Sequence, residues 1–297
     1  MVRVDESLAR GFASSFVRQV EAEQERVFER VGDCIEQQAL GPTHYGPALT
    51  KKQALRKMRE LDRASVSQLA MHRALVEDRR RSRWWHIQPF MSTEYAVNAW
   101  QERVLTFEVT IVWPYLFGRQ FTTTKRMYCS VSEHAVQRLY QRTAWPEMPT
   151  PALVVPALRE LVLWADIWWS ALCTWLLCMG DVESYGLAFV PTSGGAWLGN
   201  IAAPQLGNFP MMDLRTYVST EQMRPNQLRL WHAGREIQRG LDSAHCLDEM
   251  VLRRLCHDEF APQLWNSKAI DGRNGLLHAM LEEHVAELLP ASIADAM

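Results

Sequence analysis

His134, Arg138 and Arg142 recur every four residues within SVSEHAVQRLYQR (Ser130–Arg142). An imidazole titrates near neutral pH and can take a proton, while a guanidinium grips phosphate through a planar fork. On a helix, positions four apart lie about 40° from one another, so all three can face one cleft. The same row could instead be a solvated flank, with His134 packed at the helix start and the arginines paired to acids such as Glu133. Downstream, LRTYVS sets Arg215, Thr216 and Tyr217 in sequence. On a strand the first and third point to one face and Thr216 to the other. A helix carrying His and Arg, packed on a sheet that presents hydroxyls, has the parts for metal-free phosphodiester cleavage. That chemistry needs a base for a ribose 2′-proton, cations for the charge that builds on the phosphorane, and a group near the leaving oxygen. His134 is the expected base, and Arg138 and Arg142 the phosphate grip. Thr216 or Tyr217, whichever faces the helix, positions the substrate.

These residues resemble a family. SEHAVQRLYQR is similar to the HAxxRxxxR helix of bacterial toxin-type, metal-independent ribonucleases, the broad barnase–EndoU–colicin–RelE group. The hairpin GLAFVPTSGGAWLGNI and the strand LRTYVS resemble that group's antiparallel sheet, whose last strand often presents Thr or Tyr. The resemblance runs from about Cys129 to Gln238. It implies an endoribonuclease that uses no metal or cofactor, acts on RNA, and meets an inhibitory protein partner. Two departures stand out. Those domains are compact, whereas here a Trp-rich segment and its approach separate the motif helix from the hairpin. No lysine lies on the later strands, so a cationic catalyst would have to be Arg215, or Lys125 and Arg126 from an earlier strand. A catalytically dead member that keeps the surface for binding fits the same pattern.

The elements that must position these residues read as α+β: an antiparallel sheet with packed helices, a long N-terminal helical hairpin before it and C-terminal helices after it. Residues 5–39 place Leu8, Phe12, Phe16, Val20, Val27, Val31 and Ile35 at helical spacing, and GPTHYGP breaks the run. Thr50 with Gln53 makes a capping-box pattern. It opens a second helix expected to reach about Arg80 through Leu55, Met58, Leu61, Val66, Leu69 and Leu75. TFEVTIVWPYLF and RQFTTTKRMYCSV read as strands, with Pro114 arguing for an edge strand or a break. Ser130 with Glu133 forms another capping box, with Ser132 as a rival cap. TSGG turns a hairpin, MDLRTYVS is a third strand of that group, and a helix follows Pro225. Three regions result: 1–88, 89–240 and 241–297.

Net charge is −2, so no global basic field points to nucleic acid, but the charge is unevenly spread. Lys51 to Trp85 holds eleven Lys/Arg against four Asp/Glu, whereas Leu241 to Met297 holds ten acids against four bases. Arg79, Arg80, Arg81 and Arg83, followed by Trp84, Trp85 and His86, could grip phosphates and stack bases; this is the second reading, a non-catalytic nucleic-acid- or protein-binding surface. A third is a membrane-associated effector. LVLWADIWWSALCTWLLCM (Leu161–Met179) nearly spans a bilayer with Asp166 as its one charge, yet its four Trp are scattered and no positive-inside bias flanks it. A buried helix in a cytoplasmic protein is the expectation, with Arg138 a candidate partner for Asp166. The six Cys form no zinc spacing and read as reduced thiols. CHDE (Cys256–Glu259) cannot converge on one ion, His278 and His284 are six apart, and no Walker or dinucleotide-binding glycine motif occurs.

Overall fold

The structure, a computed structural model, describes residues 2–36, 50–77, 82–91, 102–116, 119–165, 187–202 and 211–244. Helix α1 (Glu6–Glu36) starts where the Asp5 carboxylate accepts from the Leu8 amide at 3.0 Å. It buries Ala9, Ala13, Phe16, Val17, Val20, Val27 and Val31, a stripe at three- and four-residue spacing. Helix α2 (Lys51–Ala64) carries the expected reciprocal cap between Thr50 and Gln53. It ends at Ala64 rather than near Arg80, with Ser65 as its C-cap.

Beyond α2 the chain turns to sheet: β1 (His72–Glu77) pairs antiparallel with β2 (Ser82–Phe90). Leu69 and Leu75 continue a helical stripe on paper, but a short apolar run does not decide its own period. Here the alternation of SRWWHIQPF prevails. Trp85 and Ile87 join the main core, while Trp84 packs with Val27, Val31, Met58, Leu61 and Val112. Both sides of β2 are thereby covered, and the tertiary gain outweighs local helix preference.

β3 (Val104–Leu116), β4 (Arg119–Ser132), β5 (Leu187–Thr192), β6 (Gly195–Ala202) and β7 (Met211–Ser219) complete a seven-stranded sheet of order β1-β2-β3-β4-β7-β6-β5. The expected antiparallel sheet is mostly that. Its exception is β4 with β7, which run parallel through Cys129–Val131 and Met212–Leu214. A parallel pair needs a crossover. The chain supplies it through α3 (Glu133–Arg142), helix α4 (described over 155–165) and the β5–β6 hairpin. Pro114 sits inside β3, which is an internal strand, at a register shift between Trp113 and Leu116. A residue without an N–H is tolerated where the ladder is already interrupted. One cluster joins Phe16 of α1, Leu105 and Phe107 of β3, Val136 of α3, Leu158 of α4 and Leu214 of β7. A boundary at residue 88 would therefore cut β2 and divide this core.

Candidate active site at the seam of α3 and β7

The site begins with a cap. Ser132 is the N-cap of α3, accepting from the Ala135 amide at 3.0 Å. Its rival, Ser130, donates instead to the Asp213 carboxylate at 2.9 Å, a buried bond across the parallel β4–β7 pair. The helix is thus anchored at the point where the two strands meet. Ala135, Val136, Leu139 and Tyr140 are buried, which leaves His134, Arg138, Gln141 and Arg142 on a partly exposed flank. Glu133 does not serve that row. It takes a bond from Ser14 of α1 and lies 3.7 Å from Arg103.

β7 answers with a bulge. Leu198 faces Thr216 and Gly199 faces Leu214, so Arg215 is an extra residue that the strand register skips. A bulge resets the alternation of side chains. Leu214 and Tyr217, three apart, both join the core, and Arg215 and Thr216 are both left partly exposed. The expectation that Arg215 and Tyr217 share a face is corrected by this extra residue. Arg142 reaches over the seam: its Nη1 donates to Thr216 Oγ1 at 3.4 Å and to the Tyr217 carbonyl. Thr216 is the residue that meets the helix.

The Tyr217 ring is elsewhere. It is buried, edge-on to Trp197 at 5.1 Å, with its hydroxyl under the β5–β6 turn; a Cβ on Gly195 would lie 2.6 Å from that oxygen. Burial pushes its phenol pKa well up, which suits a packed ring and not a hydroxyl that exchanges protons. The hydroxyl lies beside Thr192 and Thr143, the C-cap of α3, while the carbonyl takes the Arg142 bond at the seam.

His134 Nε2 accepts from Arg138 Nε at 3.2 Å, which requires a neutral ring with its proton on Nδ1. Partial burial pushes its pKa down and the Arg138 charge pushes it further. Glu102 pulls the other way, and Arg142 and Arg215 add to the lowering. Arg138 also donates to Gln141. Glu102 in turn holds Arg215 through a two-point contact of 3.1 and 3.2 Å. The site therefore gathers three guanidinium groups around one imidazole and one carboxylate. All the hydrogen bonds of Arg138 and Arg142 among the described residues are to neutral groups.

Glu102 is the member that sequence reading missed. It precedes β3, thirty-two positions before His134 by numbering, and no spacing links them. What brings it in is the backbone bond from Glu133 N–H to the Arg103 carbonyl, 2.8 Å, which ties the start of β3 to the first turn of α3.

Other expected residues lie apart. Lys125 and Arg126 sit on β4 opposite Val109 and Glu108, roughly 20 Å of extended strand from the α3 cap. Arg83 is on β2 opposite Val76, and Arg79, Arg80 and Arg81 lie outside the described residues. Trp84 and Trp85 are fully buried and His86 nearly so; these rings build the core and cannot stack on bases. On α2, Lys52, Arg56, Arg59 and Arg63 line one shallow groove with Leu55 and Glu60. Asp166, most of the Trp-rich segment and the acidic region 245–297 are outside the described residues. Among those described, no helix is long and apolar enough to cross a membrane, and no three His, Cys, Asp or Glu are grouped to hold a metal ion.

An α+β fold with a cation-rich seam between a capped helix and a bulged strand defines the class of site. Comparison with known proteins adds no relative: no family model, no curated protein and no solved structure matches this chain.

Proposed function

We propose that the α3–β7 seam binds a phosphodiester and that the protein is a toxin-like, metal-independent endoribonuclease. The observation that carries this reading is the bridge from Arg142 to Thr216, with His134 held neutral beside Arg138 and within the field of Glu102 and Arg215. A neutral imidazole is the form that can accept a proton. In the free protein its Nε2 is occupied by Arg138, but a phosphate is the stronger acceptor for a guanidinium. Substrate binding would draw Arg138 onto the phosphate and release Nε2. The imidazole then takes the 2′-hydroxyl proton, the 2′-oxygen attacks phosphorus, and the P–O5′ bond breaks. A 2′,3′-cyclic phosphate remains, and the 5′-oxygen leaves with a proton from solvent. Arg138 and Arg142 face the charge that develops on the phosphoryl oxygens. Thr216, polarised by Arg142, orients the substrate. Tyr217 has no part in this account.

On this reading the substrate is RNA, the setting is the cytoplasm, and an inhibitory protein would act by covering the seam. The test is cleavage of RNA in EDTA. His134→Ala should lower the rate about 10²–10⁴-fold, the usual loss for a general base, with the thermal transition intact. Cleavage that survives this substitution removes the assignment.

A second reading, binding of nucleic acid without turnover, draws on α2. Lys52, Arg56, Arg59 and Arg63 follow a 4-3-4 spacing that keeps them on one helix face, along a groove. Phosphate contacts of this kind make affinity fall steeply with salt. Salt-independent binding, or binding unchanged by Arg56→Ala with Arg63→Ala, would dismiss it.

A further inference from the structure

Beside the seam lies an open depression of about 680 Å³ lined by Arg142, Val218, Gln222, Arg224 and Gln227. Its size falls within the range of small-ligand sites. We propose that it is a second phosphate subsite, holding the nucleotide adjacent to the one bound at His134; the inference rests on the phosphodiester reading of the seam and extends it to a longer substrate.

Three features argue for an anion there. First, the two charged groups lining it are both guanidinium groups, from separate elements, and no carboxylate among the described residues lines it. Second, Arg142 spends only Nη1 on β7, in its bonds to Thr216 and the Tyr217 carbonyl. Among the described residues the rest of its planar fork meets no acceptor and can donate to a ligand, so one residue belongs to both sites. Third, the Gln227 amide is oriented. Its Oε1 accepts from the Arg224 backbone N–H at 2.9 Å, which leaves its NH₂ as the outward donor. The depression thus presents donors, with Val218 as an apolar floor that a sugar can rest on. A single RNA strand meets these demands, because its phosphates repeat along one backbone and a phosphate at the seam fixes the next one nearby. Arg142 between the two positions would serve both phosphates.

The experiment measures binding, so that it is separate from cleavage. Non-cleavable 2′-O-methyl oligonucleotides, a dinucleotide with one phosphate and a hexanucleotide with five linkages, are titrated into the full chain by fluorescence anisotropy over a range of salt. In the wild type the hexanucleotide should bind at least tenfold more tightly than the dinucleotide. Arg224→Ala should cost the hexanucleotide about tenfold more than the dinucleotide and reduce the salt slope by about 0.7, the value for one phosphate on a single strand. Arg224→Lys should recover part of the loss, and a melting curve for each variant controls for folding. Equal losses on both lengths, or none, would overturn the subsite. If the wild type cleaves RNA while Arg224→Ala keeps the full length dependence, the subsite alone falls. If the wild type binds neither oligonucleotide, the phosphodiester reading falls with it.

Discussion

Two histidines, His86 on β2 and His134 on α3, are both held below the ordinary imidazole pKa, and they are held there by different surroundings. His86 is 2% exposed, stacked on Trp84 with ring centroids 5.8 Å apart, and its Nε2 has no partner among the described residues. Burial comes first among the causes, the Arg73 charge second, and its pKa falls to about 4. His134 is only partly buried, its Nε2 takes a bond from Arg138, and four charged groups act on it, one of them opposing the rest. A depressed pKa is therefore not by itself the mark of a site. In one region it measures the cost of placing a ring in an aromatic core. In the other it reflects a constellation of charged and hydrogen-bonding groups on a partly exposed flank. The difference lies in what the imidazole can exchange its proton with.

The comparison breaks most sharply under substitution. His134→Ala should lower RNA cleavage about 10²–10⁴-fold while leaving the melting temperature within a few degrees, since the side chain sits on an open flank. His86→Phe should act instead on the pH dependence of stability. In the native protein His86 titrates near 4, in the unfolded chain near 6.5. Between those values the unfolded chain binds more protons, so His86 makes stability fall as pH drops from about 6.5 to 4, with no further loss below. The shift corresponds to a loss on the order of 3 kcal/mol across that window. Urea unfolding at pH 8, 6 and 4.5 reads it out. His86→Phe should remove this part of the acid sensitivity, and parallel pH slopes for variant and wild type would show that the buried ring is not its source.

Much of this arrangement was legible in the sequence, and the misses have physical causes. The hairpin around TSGG was readable because a short glycine turn between two alternating runs has few other solutions. The motif helix was readable from its spacing and a local serine cap, although two serines competed and only the tertiary bond from Ser130 to Asp213 leaves Ser132 as the cap. The end of α2 was not readable. Leu69 and Leu75 match a helical period, and nothing local reveals that HRALVE will find SRWWHIQPF as a partner. Trp84 and Trp85 looked like stacking platforms because they follow arginines; both faces of β2 are covered, which is a tertiary fact. The Arg215 bulge is the most consequential miss. LRTYVS alternates in the ordinary way, and the extra residue exists only relative to Leu198 and Gly199 on the neighbouring strand.

A smaller effect sharpens the contrast between the two rings. Arg138 lowers the His134 pKa through its charge and donates to the nitrogen that would have to be protonated. Arg138→Ala should raise the pKa of His134 and leave that of His86 where it is. Imidazole proton shifts followed by NMR from pH 4 to 8 measure both in one sample. The sign for cleavage is informative too. If Arg138 only occupied Nε2, its removal would free the base and increase the rate. If it moves onto the phosphate, as proposed, the rate falls although the ring has become more basic.

The smallest expected change belongs to Thr216. Its hydroxyl takes a long bond from Arg142, 3.4 Å, in a partly exposed seam, and Arg142 keeps the Tyr217 carbonyl as a second acceptor. Thr216→Val keeps the β-branched shape that suits β7 and removes the oxygen alone. The donor is a guanidinium, but at this length and exposure the bond is worth only about 1 kcal/mol. Stability should therefore move by no more than that, and the guanidinium should stay anchored by the carbonyl. If Thr216 orients substrate, the rate should fall roughly five- to tenfold, which is the same energy expressed at the transition state. A variant with wild-type rate and wild-type stability would make the threonine a bystander and leave the helix row to act alone. A loss of stability of several kcal/mol would instead mean that the seam is a structural joint, closer in kind to the aromatic packing around His86 than to a site that opens to a ligand.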